Sequence, residues 1–201
     1  MSNVSSTTAS SYDRIVAAAD AIFLEAGVLP LALGDVADRA EVSRSLIYAR
    51  FPTQHDLMNA VLGRHLHLLR KVSKLADSAS DEKCFVEIAI LYFNHLVDEG
   101  PTLALAPRDS FFANQKDSEF QKVFRQVLLK LASLAKRKLR LSNREAIAST
   151  LLLTSLPEES AMAVLNNKVD REIAADTLAS SINAALTSLS FHENVYPEPV
   201  N

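Results

Sequence analysis

The segment from Leu33 to Phe51 constrains the fold of this chain more than any other. It reads LGDVADRAEVSRSLIYARF, in which two short runs with helical apolar spacing flank a turn at Glu41 and Val42. Two short helices joined in this way, the second with polar and basic outer side chains, are typical of a helix-turn-helix that binds DNA. The spacing directs Leu46, Ile47 and Phe51 inward, and leaves Ser43, Arg44, Ser45, Tyr48 and Arg50 facing outward.

The rest of the chain predicts further helices, so the expected fold class is all-α. The 201 residues include only 4 Gly and 7 Pro, while Ala and Leu recur at helical spacing. A composition of 48% hydrophobic and 22% charged residues is ordinary for a globular protein with a core. The apolar run at Ile88–Phe93 is far shorter than the roughly 18 residues of a membrane span. We therefore expect a soluble protein that does not enter the membrane.

Charge is distributed unevenly along the chain. The net charge is −3, yet residues 39–74 contain seven Arg or Lys and only two acidic residues. A basic patch on an acidic body suits a protein that contacts phosphates with one face. A basic helix face that is merely solvated is the alternative explanation of such a run.

The sequence divides into four parts. Residues 1–10 are rich in Ser and Thr without periodicity and are expected to be disordered. Residues 11–53 form the predicted three-helix DNA-binding domain, and residues 54–191 form a larger helical domain for regulation and dimerisation. Residues 192–201 contain two Pro and are expected to be a loose tail.

Several helix boundaries can be predicted from capping residues. Ser10 with Asp13 and Thr53 with Asp56 have the spacing of N-terminal capping boxes, and Gly27 can end the first helix in a left-handed conformation. Ser43 is the expected N-cap of the second helix of the helix-turn-helix. The apolar pattern from Leu57 to Leu75 predicts one continuous helix that belongs to both domains.

The sequence favours no enzymatic activity. His65 and His67 are two residues apart, which places them on different faces of a helix. The sequence contains no HExxH pair, glycine-rich phosphate loop or serine elbow, so we expect no catalytic residues, no metal and no cofactor. The one cysteine, Cys84, cannot form a disulfide within the chain, and together with the missing secretory signal this predicts a cytoplasmic protein.

Two runs of sequence carry a resemblance to a known family. RIVAAADAIFLEAG and DVADRAEVSRSLIYARFPTQHDLMNAVL, with Tyr48 and the pair Phe51-Pro52, resemble the tetracycline-repressor-like (TetR) family of bacterial transcriptional regulators. The match covers about Arg14 to Leu62, and beyond it only the helical architecture is similar. The resemblance implies a repressor that binds a palindromic operator as a homodimer and responds to a small molecule.

The resemblance also assigns site residues. DNA contacts carry over to Ser43, Arg44, Ser45 and Tyr48, and Arg50 and Thr53 complete the expected DNA-binding set. An Arg near the start of the helix can reach guanine or a phosphate, and the hydroxyl groups suit phosphates.

The family's homodimers form through the last two long helices, which here follow Ser142 and Asp170. Part of their apolar set must instead be core within the chain. The set consists of Ile147, Leu151, Leu152, Met162, Val164, Leu165, Ile173, Leu178, Ile182, Leu186 and Leu189.

A small hydrophobic or amphipathic effector would bind between the helices of the larger domain. The aromatic side chains and one histidine that follow Glu87 are the candidate lining, although aromatic residues at helical spacing are also ordinary core residues. The candidates are Tyr92, His95, Phe111, Phe112 and Phe124.

Three positions depart from the family pattern. Leu31-Ala32 stands where Thr or Ser often opens the second helix, Glu41 where Gly is frequent, and Gln54 where Lys is usual. Each change removes a phosphate contact or adds repulsion. They leave open an alternative, in which the chain is a helical dimeric protein-interaction module with weakened or lost DNA binding.

Overall fold

The computed structural model describes residues 10–79, 83–113 and 118–190 of the chain. Within these ranges the chain forms eleven α-helices and one short 3₁₀ turn, without a β-strand, which confirms the all-α prediction. The disordered segment predicted at residues 1–10 lies outside the described residues except for Ser10, and the predicted tail at 192–201 lies outside them entirely. No helix in the described part is long and apolar enough to cross a membrane.

The helices follow one another along the chain with short connections. Their bounds are α1 (Ser11–Ala26), α2 (Leu33–Ala40), α3 (Arg44–Arg50), α4 (Gln54–Gly63), α5 (Leu66–Ser78), α6 (Lys83–Glu99), α7 (Thr102–Leu105), the 3₁₀ turn (Ala106–Arg108), α8 (Ser110–Ala113), α9 (Glu119–Leu139), α10 (Asn143–Leu165) and α11 (Arg171–Ser190).

The N-terminal helices have the caps that the sequence predicts. The Ser10 hydroxyl accepts from the Asp13 N–H and donates to the Asp13 carboxylate, which is a side-chain cap rather than the full predicted capping box. Gly27 ends α1 at φ 69°. Thr53 and Asp56 form the capping box of α4. Helices α1 to α4 enclose a small core in which Ile15, Phe23, Val36, Ile47 and Leu57 are almost fully buried. These contacts fix α3 through its inner face and leave its outer face free.

The prediction of one continuous helix from Leu57 to Leu75 is wrong, because the chain leaves the α-helical conformation at Arg64 and His65. The N–H groups of Arg64 and His65 donate to Val61 O and Leu62 O, three residues back, rather than four. Helix α5 then starts at Leu66. The break occurs where the His65 side chain is buried and paired with another histidine.

The larger part of the chain packs five helices around a second region of the core. Helix α10 lies against α6, α9 and α11, and α5 lies against α6 and α9. Helix α10 continues through Pro157, where the sequence predicts a kink or stagger. Between α6 and α9, the segment 101–113 folds into α7, the 3₁₀ turn and α8, as the prolines at its start and centre predict.

Candidate nucleic-acid interface and internal cavity

The outer face of α3 presents the side chains that the sequence assigns to DNA. Ser43 is the N-cap of α3, and its Oγ accepts from the Leu46 N–H at 3.2 Å and lies 2.9 Å from Ser45 Oγ. Arg44 and Tyr48 are exposed, while Ile47 is fully buried beneath them. Since an N-terminal helical turn carries free N–H groups and a partial positive charge, this end of α3 favours phosphate.

The Arg44 side chain lies beside α2, a position that the sequence did not predict. Its guanidinium group lies over Gly34 in α2, where a Cβ atom would come within 2.5 Å of Arg44 Nη2. Glycine at this position therefore provides the space in which the Arg44 side chain rests on α2.

Arg50 and Thr53 lie at the other end of α3. Arg50 is exposed and borders a shallow groove with Tyr12 and Pro52. The Thr53 hydroxyl donates to Asp56 Oδ2 at 2.7 Å and accepts from the Asp56 N–H at 3.1 Å. The Thr53 hydroxyl thus forms part of the α4 cap.

The positions that depart from the family pattern have structural roles of their own. The Gln54 side chain bonds to both backbone groups of Leu31, accepting from its N–H at 2.7 Å and donating to its carbonyl oxygen. Glu41 adopts the left-handed conformation at φ 53° and lies 3.8 Å from Arg14. One departure therefore stabilises the entrance to α2, and the other places a carboxylate in the turn before α3.

A cavity of about 230 Å³ lies within the larger part of the chain. Apolar side chains form most of its wall, and two of the predicted residues, Tyr92 and Phe124, belong to it. The cavity is lined by Leu68, Leu69, Val72, Ile88, Tyr92, Leu103, Ala104, Pro107, Arg108, Phe124, Val127, Leu128, Leu131, Leu151, Thr154 and Glu158. A mostly apolar cavity with a few polar groups is the usual form of a small-molecule site.

The polar groups of the cavity meet at Glu158. The Tyr92 hydroxyl donates to Glu158 Oε1 at 2.9 Å, and the Arg108 guanidinium forms an ion pair with Oε2. Burial, together with the negative charge of Glu158, raises the pKa of Tyr92 well above its ordinary value, so this phenol stays a neutral donor. Arg108 and Glu158 were not predicted as site residues, because they are 50 positions apart in the chain.

The structure places the other three ligand candidates away from this cavity lining. His95 is buried with its Nε2 atom 2.8 Å from His65 Nδ1. Phe111 stacks on His55 with ring centroids 4.2 Å apart, and Phe112 is buried against Phe120.

The segment that walls the cavity also contacts the N-terminal helices. Asp109 Oδ2 accepts from the Leu29 N–H at 3.4 Å, and Phe111 stacks on His55 of α4. Thr102 donates to Asp20 of α1, a carboxylate whose pKa is raised by burial. Arg108 therefore lies in a segment that contacts α1, α4 and the connection between α1 and α2.

The last two helices divide the apolar set that the sequence assigns to dimerisation. Leu178, Ile182 and Leu186 of α11 are buried within the chain. By contrast, large apolar side chains on α10 and at the start of α11 are exposed. These are Ile147, Leu151, Leu152, Leu156, Leu165 and Ile173. We call them the apolar face of α10 and α11.

Comparison with known proteins agrees with these features. Residues 15–61 match the model of the family described as bacterial regulatory proteins, tetR family. This match spans α1 to most of α4 and includes every predicted DNA-binding residue. The comparison with curated proteins found no match.

Solved structures of similar fold cover nearly the whole chain. A TetR-like transcriptional regulator from Rhodococcus sp. RHA1 has a TM-score of 0.63 and 15% identity, over 88% of this chain and 96% of its own. The regulator FadR from Bacillus subtilis, in complex with stearoyl-CoA, has a TM-score of 0.58 and 15% identity, over 90% and 98%. A TetR variant from Acinetobacter baumannii, in complex with minocycline, has a TM-score of 0.51 and 16% identity, over 88% and 92%.

At such low identities the structural likeness concerns the fold, while the family match concerns the sequence of the helix-turn-helix. The two findings agree in the position of the helix-turn-helix at the start of an all-helical chain. The helix-turn-helix segment of this chain thus matches the tetR family of bacterial regulatory proteins in sequence, and the chain as a whole shares the fold of solved TetR-like regulators.

Proposed function

We propose that this protein is a transcriptional repressor that binds a palindromic operator as a homodimer and releases it when a small molecule occupies the cavity. The observation that carries the proposal is the exposed, polar and basic face of α3, within a segment that matches the family by sequence. The proposal assigns DNA binding to residues 11–53, and regulation and dimerisation to residues 54–191.

The DNA-binding surface supports both positioning and base readout. Ser43 and Ser45 place hydroxyl groups at the N-terminus of α3, where phosphate is favoured. Arg44 projects from the first turn of α3 and can reach a base edge in the major groove, as helix-turn-helix proteins require. Tyr48 lies one turn further on and can contact the adjacent backbone.

The apolar face of α10 and α11 supports the homodimer. Leu and Ile side chains are exposed along two adjacent helices. Large exposed apolar surfaces of this kind are unusual in monomers and mark sites of protein association. A two-fold axis through this face would pair α10 and α11 with the same helices of a second copy. The two copies of α3 would then be related by the same axis. A DNA-binding dimer with two-fold symmetry matches a palindromic operator.

The cavity supports regulation by a small molecule. Pro107 and Arg108 border it, and residues on either side of them contact Asp20 of α1, His55 of α4 and Leu29 between α1 and α2. The two copies of α3 must be about 34–36 Å apart to enter successive major grooves. A ligand that shifts the 3₁₀ turn would change this separation and so weaken operator binding.

The first test is fluorescence anisotropy on duplexes tiled across the region upstream of the protein's own gene, titrated at several salt concentrations. We expect tight binding to one duplex that decreases steeply as the salt concentration rises. Arg44→Ala should weaken binding to that duplex by roughly 10- to 100-fold. Arg144→Ala is the matched control, because Arg144 is an exposed arginine at the start of α10.

Weak binding that is equal on all duplexes and unchanged by Arg44→Ala would direct the search to random duplex libraries. If selection from such libraries also found no preferred site, the repressor proposal would be wrong. A helical dimeric protein-interaction module would then be the better description. The carboxylate of Glu41, in the turn between α2 and α3, is the feature that favours this second function.

A further inference from the structure

We propose that the cavity binds an amphiphilic cation, that is, a molecule with an apolar body and one protonated nitrogen, which replaces the Arg108 guanidinium on the Glu158 carboxylate. The inference deepens the proposed function, since it takes the cavity to be the effector site and names the class of effector. Three observations carry it: the apolar wall, the buried carboxylate and the exposure of its present cation.

The wall of the cavity fits the apolar body. Side chains of Leu, Val, Ile and Phe from α5, α6, α7, α9 and α10 surround about 230 Å³. A cavity of about 150 Å³ lined by apolar side chains is sufficient to bind benzene. The volume here therefore accommodates a larger apolar group, such as an alkyl chain or two fused rings, which would gain from leaving water.

Glu158 is the fixed anionic group of the site. It lies in the second half of α10, directly after Pro157, and its side chain is only 11% exposed. A buried carboxylate requires a compensating cation or several hydrogen bonds, and the Tyr92 hydroxyl supplies only one neutral donor. Within the described part of the chain, Arg108 therefore supplies the positive charge that pairs with the Glu158 carboxylate.

Arg108 is a replaceable partner. Its side chain is 58% exposed, and it belongs to a 3₁₀ turn of three residues rather than to a long helix. If it left Glu158, its guanidinium group would be hydrated at little cost, because more than half of the side chain is already exposed to water. Glu158 has no such alternative, so a second cation inside the cavity can take the place of Arg108 without leaving a buried charge unpaired.

An anionic ligand fits this site poorly. Its carboxylate or phosphate would have to attract Arg108 away from Glu158, which would leave the Glu158 carboxylate buried with only Tyr92 as a donor. It would also bring a second negative charge close to the first. A neutral ligand would leave the ion pair intact and would gain only from apolar contact. The expected order of affinity is therefore cation, then neutral molecule, then anion.

The test is isothermal titration calorimetry of the purified full chain at pH 7 with octylammonium, octanol and octanoate, each below the concentration at which it aggregates. The three probes share one alkyl chain and differ in the charge of the head group. We expect octylammonium to bind at least tenfold more tightly than octanol, and octanoate to bind most weakly. Tighter binding of octanoate, equal affinities, or no binding of any probe would overturn the proposal.

Variants identify the group that recognises the cation. Glu158→Gln should reduce the affinity for octylammonium at least tenfold and leave that for octanol within about twofold. Glu159→Gln is the matched control, because it removes the same charge from the next, exposed position of α10. Arg108→Gln should raise the affinity for octylammonium, since it removes the competing cation. A preference for octylammonium that survives Glu158→Gln would overturn the proposal.

The failure of this inference can be distinguished from the failure of the proposed function. Operator binding by the unliganded protein is measured separately by anisotropy and does not depend on the head group. A wrong order of affinities in a protein that binds its operator overturns only the class of effector. Absence of an operator overturns the repressor proposal and leaves the calorimetric result standing.

Discussion

Gln54 and Leu31 are joined by two hydrogen bonds between one side chain and one backbone unit. Gln54 Oε1 accepts from the Leu31 N–H at 2.7 Å, and Gln54 Nε2 donates to the Leu31 carbonyl oxygen. Leu31 is buried at the entrance to α2, so its backbone groups have little access to water. The first residue of α4 thereby holds the segment that leads into the helix-turn-helix.

Replacing Gln54 by Ala should lower the free energy of unfolding by about 1–3 kcal/mol, because it leaves two partly buried backbone groups without partners. Urea denaturation followed by circular dichroism measures this change. Gln126→Ala, at an exposed position of α9, should change it by less than about 0.5 kcal/mol. Equal effects of the two substitutions would contradict the role assigned to Gln54.

Glu41→Gly should raise both stability and DNA affinity. Glu41 has φ 53°, a conformation that is unfavourable for a residue with a side chain, and glycine should recover up to about 1 kcal/mol there. Removing its carboxylate also removes repulsion between the turn and the operator phosphates. Thermal unfolding and operator anisotropy measure the two effects.

Glu41→Gln separates charge from conformation at the same site. It removes the carboxylate but keeps a side chain at the left-handed position. We expect Glu41→Gln to raise DNA affinity as Glu41→Gly does, but to change the free energy of unfolding only slightly. A stability gain as large as that of Glu41→Gly would show that φ at this position is not the cause.

The paired histidines predict a loss of stability in mild acid. Burial, followed by the neighbouring charges, lowers the pKa of His65 to about 4 from its ordinary 6.5, and burial also lowers the pKa of His95. The unfolded chain therefore binds protons more readily than the folded chain between pH 6.5 and 4. The contribution of the neutral histidines to the free energy of unfolding is complete above about pH 6.5 and decreases as the pH falls. At pH 5 the lowered pKa of His65 alone accounts for a loss of about 2 kcal/mol.

Urea denaturation at pH 7 and pH 5 checks this expectation. His65→Asn should be less stable than the wild type at pH 7 but should lose less stability on going to pH 5. Gln126→Asn, at an exposed position of α9, is the control and should respond to pH as the wild type does. A wild-type protein that is equally stable at both pH values would contradict the prediction.

Leu152→Glu should convert the proposed homodimer to a monomer. Leu152 is 70% exposed on the apolar face of α10 and α11, where a charge would be buried against the second copy. Sedimentation velocity at micromolar concentration measures the change. Leu129→Glu, at a 63% exposed leucine of α9, should leave the dimer intact. The same sedimentation coefficient for both variants would contradict the proposed interface.

Local features of the fold could be predicted because they depend on residues close together in the sequence. Ser10, Thr53 and Ser142 cap their helices through groups three positions away, and Gly27 ends α1 by itself. The break at Arg64 and His65 could not be predicted in the same way. Leu57, Val61, Leu62, Leu68 and Leu69 are buried on both sides of it, so their pattern suggests a single helix.

The cavity was only partly predictable for a related reason. Tyr92 and Phe124 follow from aromatic spacing, but the pairing of Arg108 with Glu158 joins elements that are distant in the sequence. One signal was present in α10, where Thr150, Thr154 and Glu158 follow one another at intervals of four. A charged residue in register with an inward face indicates a buried polar site, and this spacing could have identified Glu158.

Leu151 borders the cavity and also belongs to the exposed apolar face of α10 and α11. One turn of one helix thus adjoins both the proposed effector and the proposed second subunit. Two binding equilibria that share such a residue are linked, and the linkage is reciprocal. If the effector changes the monomer–dimer constant by some factor, dimerisation changes the effector affinity by the same factor. The response of the proposed repressor would therefore depend on its own cellular abundance.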